Sequence, residues 1–189
     1  MANESGNDGT GRTHTAFFYG TLMAAEVFFT VCYRNSQIDV SVLKSLHTFQ
    51  PAVLHGFRRR RVQYADYPGI TRDATAEDAS VRGMYVTGLT DANMEKLNLF
   101  EGCEYELETV KVKLLSKVGD DQGKGNVEGD EVECQTYVYQ NPKGLEAREW
   151  DYHEFRTQKM KKWTREDYNF DDTDHFAPTE VEEAKEAAV

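Results

Sequence analysis

The chain has 189 residues, the size of one domain, and its 39% hydrophobic and 12% aromatic content is enough to close one packed interior. A formal charge of -11 argues against nucleic acid or an anionic membrane surface as a partner. The three cysteines, Cys32, Cys103 and Cys134, are odd in number and widely spaced, which excludes a disulfide framework or zinc knuckle and fits reduced thiols in the cytoplasm.

Residues 1–13 are Gly, Asn, Asp and Thr with almost no apolar side chain, so they are expected to form a disordered tail. Thr15 to Tyr19 reads as a first strand, and Leu22 to Tyr33 as a helix apolar nearly all round and therefore well buried. Within that helix lies the longest apolar run, around Val27 to Val31, too short to span a bilayer, and no signal-peptide pattern precedes it. Pro51 to Tyr64 is strand-like, Tyr67-Pro68-Gly69-Ile70 is a turn signal, and Val81 to Thr87 gives another strand. Thr90-Asp91 offers an N-cap to a short helix over Asp91 to Glu101, and Gly102 stands where a left-handed C-cap residue belongs.

In Thr109 to Leu114 the apolar residues Val110, Val112 and Leu114 alternate with lysines, whereas Tyr105 and Leu107 alternate in the opposite phase, which predicts a bulge near Glu108. A mobile acidic excursion is expected over 119–130, followed by a strand over Val132 to Tyr139. Trp150 to Trp163 predicts an amphipathic helix on the outside of the domain, which is expected to span 14–168 before an acidic tail at 169–189. Short strands with few helices indicate an α+β domain with a strongly curved or closed sheet.

Two stretches bear on chemistry. In Tyr19-Gly20-Thr21-Leu22 a strand meets a helix through a Gly turn, a place where unpaired N–H groups at a positive helix end can hold an anion or oxyanion. Alone, the same residues read more readily as a plain turn with Thr21 as N-cap and nothing bound. Glu101 ends the capped helix beside Leu99, Phe100 and Cys103; apolar neighbours and the negative helix end both raise a carboxyl pKa, as a general base with some acid function requires. A solvated helix-end glutamate is the alternative.

The other reactive side chains give less. Cys103 has no identified histidine base and reads as a buried, inert thiol. The run Arg58-Arg59-Arg60-Arg61 alternates between two faces of a strand, makes no basic stripe, and is expected to pair with the surplus acids. The five histidines show no paired ligand spacing, so neither metal nor cofactor is expected.

The ordered set "FFYGTLM" (17–23), "LHGFRRRRV" (54–62), "YPGI" (67–70), "VRGMYV" (81–86), "LNLFEGCEYELETVKV" (97–112), "QTYVY" (135–139) and "EWDYHEF" (149–155) resembles the γ-glutamylcyclotransferase-like superfamily. Within it, the set is similar to the AIG2-like branch, which includes γ-glutamylamine cyclotransferases. The resemblance implies a small mixed β-barrel with flanking helices and a cavity, and a small-molecule γ-glutamyl substrate cyclised to 5-oxoproline with release of an amine.

It also implies that Tyr19, Gly20, Thr21 and Leu22 hold the glutamyl group and that Glu101 is catalytic. Glu104 and Glu106 stay open as nearby carboxylates, and Tyr105 and Tyr137 are candidates for the pocket wall. A proline that many relatives carry at the helix start is Ala25 here, which predicts a less rigid turn. Two other readings stand beside the enzyme: a non-catalytic module that binds a small acid or a partner, and an interaction protein that docks through its arginine run.

Overall fold

Adjacent residues of a strand face opposite ways, so the burial of both Phe17 and Phe18 requires cover on both faces of the first strand. The computed structural model, which describes residues 13–164 except 35, 74, 76, 77, 121 and 122, supplies that cover. Strands β1 (His14–Phe18), β5 (Ser80–Leu89), β2 (Thr48–His55), β6 (Tyr105–Lys117) and β7 (Val127–Tyr139) pair antiparallel in that order. β7 then returns to β1 through one parallel pair, Ala16 with Gln135, closing the curled sheet.

Phe17, Leu54, Val81, Val110, Val112 and Val138 fill its inside. Phe18, Met84 and Val86 face outward into a second cluster beneath helices α1 (Ala25–Tyr33) and α3 (Asp91–Glu101), which contribute Phe28, Phe29 and Leu97. The α+β class with a curled sheet and flanking helices is thus as expected. The tail at 1–12, residues 165–168 of the expected domain and the tail at 169–189 lie outside the described residues. No helix among the described residues is long and apolar enough to cross a membrane.

Several expectations need correction. No bulge lies near Glu108: the β6–β7 register is unbroken from Tyr105–Tyr139 to Lys113–Glu131, and shifts only beyond Lys113. The phase change has another cause. Tyr105 and Leu107 pack outward against the cluster under α3, while Val110 and Val112 face inward, so two halves of one unbroken stretch bury opposite faces. The strand-like run from Pro51 to Tyr64 is two strands, because Gly56 at φ +78° turns the chain between β2 and β3 (Phe57–Arg61).

Pro68-Gly69-Ile70 is not a turn but the start of β4 (Pro68–Arg72), paired antiparallel with β3. Val127 to Asp130, expected in the excursion, belong to β7. A short helix, α2 (Val40–Ser45), escaped the sequence reading because only Leu43 of its six residues is buried, too few to set a period.

Two other elements depend on single groups. In α3 the Thr90 side chain accepts from Asn93 N, and Asn93 Oδ1 accepts from Thr90 N at 3.0 Å, a reciprocal cap. Gly102 closes the helix with positive φ as expected, but at φ 68°, ψ -162° rather than in the left-handed helical region. Only glycine occupies that region cheaply, and a Cβ there would touch nothing within 4 Å. Gly102→Ala is therefore expected to cost about 1–3 kcal/mol in denaturant unfolding, from backbone conformation alone.

The expected C-terminal helix is one α turn, α4 (Tyr152–Glu154), followed by a π-helical turn over Phe155–Lys159 and a 3₁₀ turn over Met160–Lys162. Phe155 and Met160 enter the core under α1. Arg156 meets the fully buried Glu26 of α1 at 3.5 Å.

Candidate active site

The chain between β1 and α1 does not pass directly into the helix. Thr21–Met23 forms a single 3₁₀ turn, Ala24 is extended at φ -76°, ψ 117°, and α1 starts only at Ala25. The helix end therefore stands beyond Tyr19 to Leu22, and Thr21 makes no side-chain cap. The extended shape of Ala24 is the one a following proline would impose, although Ala25 follows it.

What the turn offers is a set of unused donors. Tyr19 O accepts from Arg59 Nη1 at 2.9 Å, Gly20 O from Met23 N at 2.9 Å and Thr21 O from Ala24 N at 3.2 Å. The N–H groups of Gly20, Thr21 and Leu22 meet no acceptor among the described residues. Carbonyls satisfied and amides free is the arrangement of an anion-binding turn. Gly20 also lets the turn lie close to β4: a Cβ there would stand 2.8 Å from Pro68 Cγ.

These residues line a cavity of about 140 Å³. Tyr19, Gly20, Thr21, Leu22, Glu101, Tyr105 and Tyr137, all seven residues singled out from the sequence, contribute to its wall. The tyrosines are fixed by hydrogen bonds. Tyr19 Oη donates to Tyr137 O at 2.6 Å, Tyr137 Oη to Asn98 Oδ1 at 2.7 Å, and Tyr105 Oη to Pro68 O at 2.9 Å. Burial raises all three phenols above their ordinary values, so they stand in the wall as neutral donors.

Glu101 and Glu104 line the same cavity but differ in engagement. Glu104 accepts from Tyr67 Oη at 3.3 Å and from Tyr139 Oη at 3.4 Å. Glu101 accepts no hydrogen bond among the described residues, and burial pushes its carboxyl up to about 8. Glu106 is exposed and outside the cavity wall.

Of the three chain neighbours expected to make the surroundings of Glu101 apolar, Phe100 does so and the other two do not. Leu99 is 77% exposed and Cys103 is exposed rather than buried, since neighbours on a helix point about 100° apart. Together with Phe100, the residues Phe17, Phe18, Leu22 and Trp163 from elsewhere in the chain supply the apolar lining. Burial in that lining is what raises its pKa.

This has a consequence for stability. A carboxyl whose folded pKa lies above its ordinary 4.5 holds its proton more tightly when folded, so stability present below pH 4.5 is lost as pH rises through about 8. Glu101→Gln removes the effect. The variant is expected to gain on wild type steadily in thermal unfolding between pH 5 and pH 8.5.

Sequence reasoning missed Tyr67, Pro68, Phe100 and Trp163 in the cavity wall. Trp163 packs edge-on against Tyr67 and Phe100 at centroid distances of 6.1 and 5.9 Å, so the end of the C-terminal helical segment closes one side. An apolar residue at the tip of an amphipathic segment was the available signal. Arg59 was also missed, because a bond to a carbonyl leaves no mark in a run of four arginines. Pairing with acids is nevertheless present, as Arg58 with Asp73 at 2.7 Å and Arg59 with Glu149 at 3.1 Å. Among the described residues no His, Cys, Asp and Glu cluster could hold a metal ion.

Comparison with known proteins places this geometry among relatives. The family model described as "Gamma-glutamyl cyclotransferase, AIG2-like" matches residues 16–164. AIG2-like protein C of Arabidopsis thaliana is 30% identical over 141 residues, covering 74% of this chain and 67% of the relative. Protein AIG2 C of the same plant is 26% identical over 153 residues, covering 80% and 78%. A solution structure of an Arabidopsis thaliana protein superposes with a TM-score of 0.50 at 26% identity, covering 80% of this chain and 78% of that one.

Proposed function

We propose, since the chain belongs to the AIG2-like γ-glutamyl cyclotransferase family, that it converts a γ-glutamyl amide into 5-oxoproline and a free amine or amino acid. The reading is carried by one observation: a half-buried carboxyl with no hydrogen-bond partner among the described residues and a turn with three free amides line the same small cavity.

The chemistry needs little more. The substrate's α-amine attacks its own γ-carbonyl carbon, a C–N bond forms to close a five-membered ring, and the original C–N bond to the leaving amine breaks. Glu101 takes the proton from the attacking nitrogen and returns one to the leaving nitrogen. A carboxyl pushed up to about 8 suits both transfers, because neither protonation state is strongly disfavoured near neutral pH.

The amides of Gly20, Thr21 and Leu22 hold the glutamyl group and the oxygen on which charge develops. Bringing amine and carbonyl together is itself worth an effective molarity on the order of 10⁵ M or more, so the protein's main task is to fold the substrate back on itself. The aromatic wall of Phe17, Phe18, Tyr105 and Trp163 keeps water from the reacting atoms.

The test is incubation with γ-glutamyl-ε-lysine, γ-glutamyl-alanine and glutathione, followed by assay for 5-oxoproline. Release from at least one compound is expected. Tight binding of 5-oxoproline with no turnover across a wider γ-glutamyl set would instead make the protein a small-acid-binding module.

A further inference from the structure

Arg59 reaches the donor turn from β3. Its Nη1 donates to Tyr19 O at 2.9 Å and also lies 3.5 Å from Arg82 O. Its Nη2 donates to Glu149 Oε1 at 3.1 Å, and the guanidinium carbon stands 5.5 Å from the centre of the Trp150 ring. The side chain is 12% exposed, whereas Glu149 is 66% exposed, so the cation is held inside and its counter-charge at the rim. Its Nε is buried with no acceptor among the described residues.

A buried charge with one donor unused is a costly way to link two strands. The Tyr19 carbonyl gives it a more specific role. A trans peptide is planar, with its C=O and the next N–H pointing opposite ways, and the chain has no cis bond among the described residues. Holding Tyr19 O toward β3 therefore sets the direction of Gly20 N–H, the first free donor of the turn, away from β3. The other end of Tyr19 is tied by its hydroxyl to Tyr137 O. With the side chain anchored there, the bond from Arg59 to Tyr19 O is what holds the Tyr19–Gly20 plane in its orientation.

We infer that Arg59 is a positioning residue for the donor turn, fixing the Tyr19–Gly20 peptide so that the Gly20 amide is presented to the cavity. Only a planar fork can serve Tyr19 O and Glu149 at once while lying over Trp150, so lysine cannot replace it. The inference rests on the cyclotransferase reading for its kinetic consequence alone. The orientation of the amide can be measured without any substrate.

In Arg59→Lys, the Gly20 and Thr21 amide resonances in a ¹⁵N spectrum are expected to shift or broaden, while those of β2 and β6 stay in place. kcat for 5-oxoproline release is expected to fall about 10- to 100-fold, with KM changed far less, because misorientation acts on the reacting geometry. A merely structural arginine would lower thermal stability and leave kcat alone.

Glu149→Gln, at an exposed position, is expected to give the same amide shifts in weaker form, and it decides the matter should Arg59→Lys fail to fold. Unchanged Gly20 and Thr21 amides in a folded Arg59→Lys, or in Glu149→Gln if that is the variant that folds, overturn the inference. If wild type releases no 5-oxoproline from any γ-glutamyl compound, the proposed function falls, and the amide spectra still decide the role of Arg59.

Discussion

Glu101→Gln is expected to lower 5-oxoproline release by about 10²- to 10⁴-fold, the range for losing a general base that also serves as an acid. Glutamine keeps the shape and fills the same space, so the loss reads out proton transfer rather than collapse of the cavity. The variant should fold at least as well as wild type above neutral pH, because it no longer holds a reluctant carboxyl away from water. In wild type the base must be ionised in the free enzyme, so kcat/KM should rise with pH and level off above about 8. Initial-rate assays of both proteins across that range, with unfolding curves beside them, check all three statements. Equal rates for the two proteins would remove Glu101 from the mechanism.

Gly20→Ala is the second large effect. The added Cβ would stand 2.8 Å from Pro68 Cγ and 3.0 Å from Pro68 Cδ, inside the roughly 3.5–4.0 Å at which carbon atoms rest. A proline ring cannot swing aside, so the turn itself must move by something near 1 Å. Displacement on that scale is expected to cost about 10²-fold in kcat. The stability cost should be that of modest overpacking, about 1–3 kcal/mol. The pattern to look for is a folded protein with unchanged Glu101 titration and a large fall in turnover.

Where sequence was a good guide, local chemistry was enough. Thr90 and Gly102 mark the ends of α3 by hydrogen bonding and backbone shape, and α3 delivers Glu101 to the cavity. The family pattern then paired that glutamate with a turn about eighty residues earlier, which no periodicity could have done.

The failures share a different cause. β6 buries opposite faces at its two ends, and a rule that assumes one buried face turns this into a bulge. The single residue Gly56, inside an otherwise β-forming run, divides β2 from β3. The π-helical turn over Phe155–Lys159 shifts the phase of everything beyond it, so an α-helical reading misplaces Trp163. Arg59 and Glu26 show the same limit for charges. Their burial comes from elements far away in the chain, and composition alone assigns both to the surface.

If the Tyr19–Leu22 amides and Glu101 hold one glutamyl group between them, titrating ¹⁵N-labelled protein with 5-oxoproline will reveal it directly. The backbone signals of Gly20, Thr21, Leu22 and Glu101 should then move together along one saturation curve with a common Kd. Movement of the turn alone, of Glu101 alone, or of neither at saturating ligand would contradict a shared site.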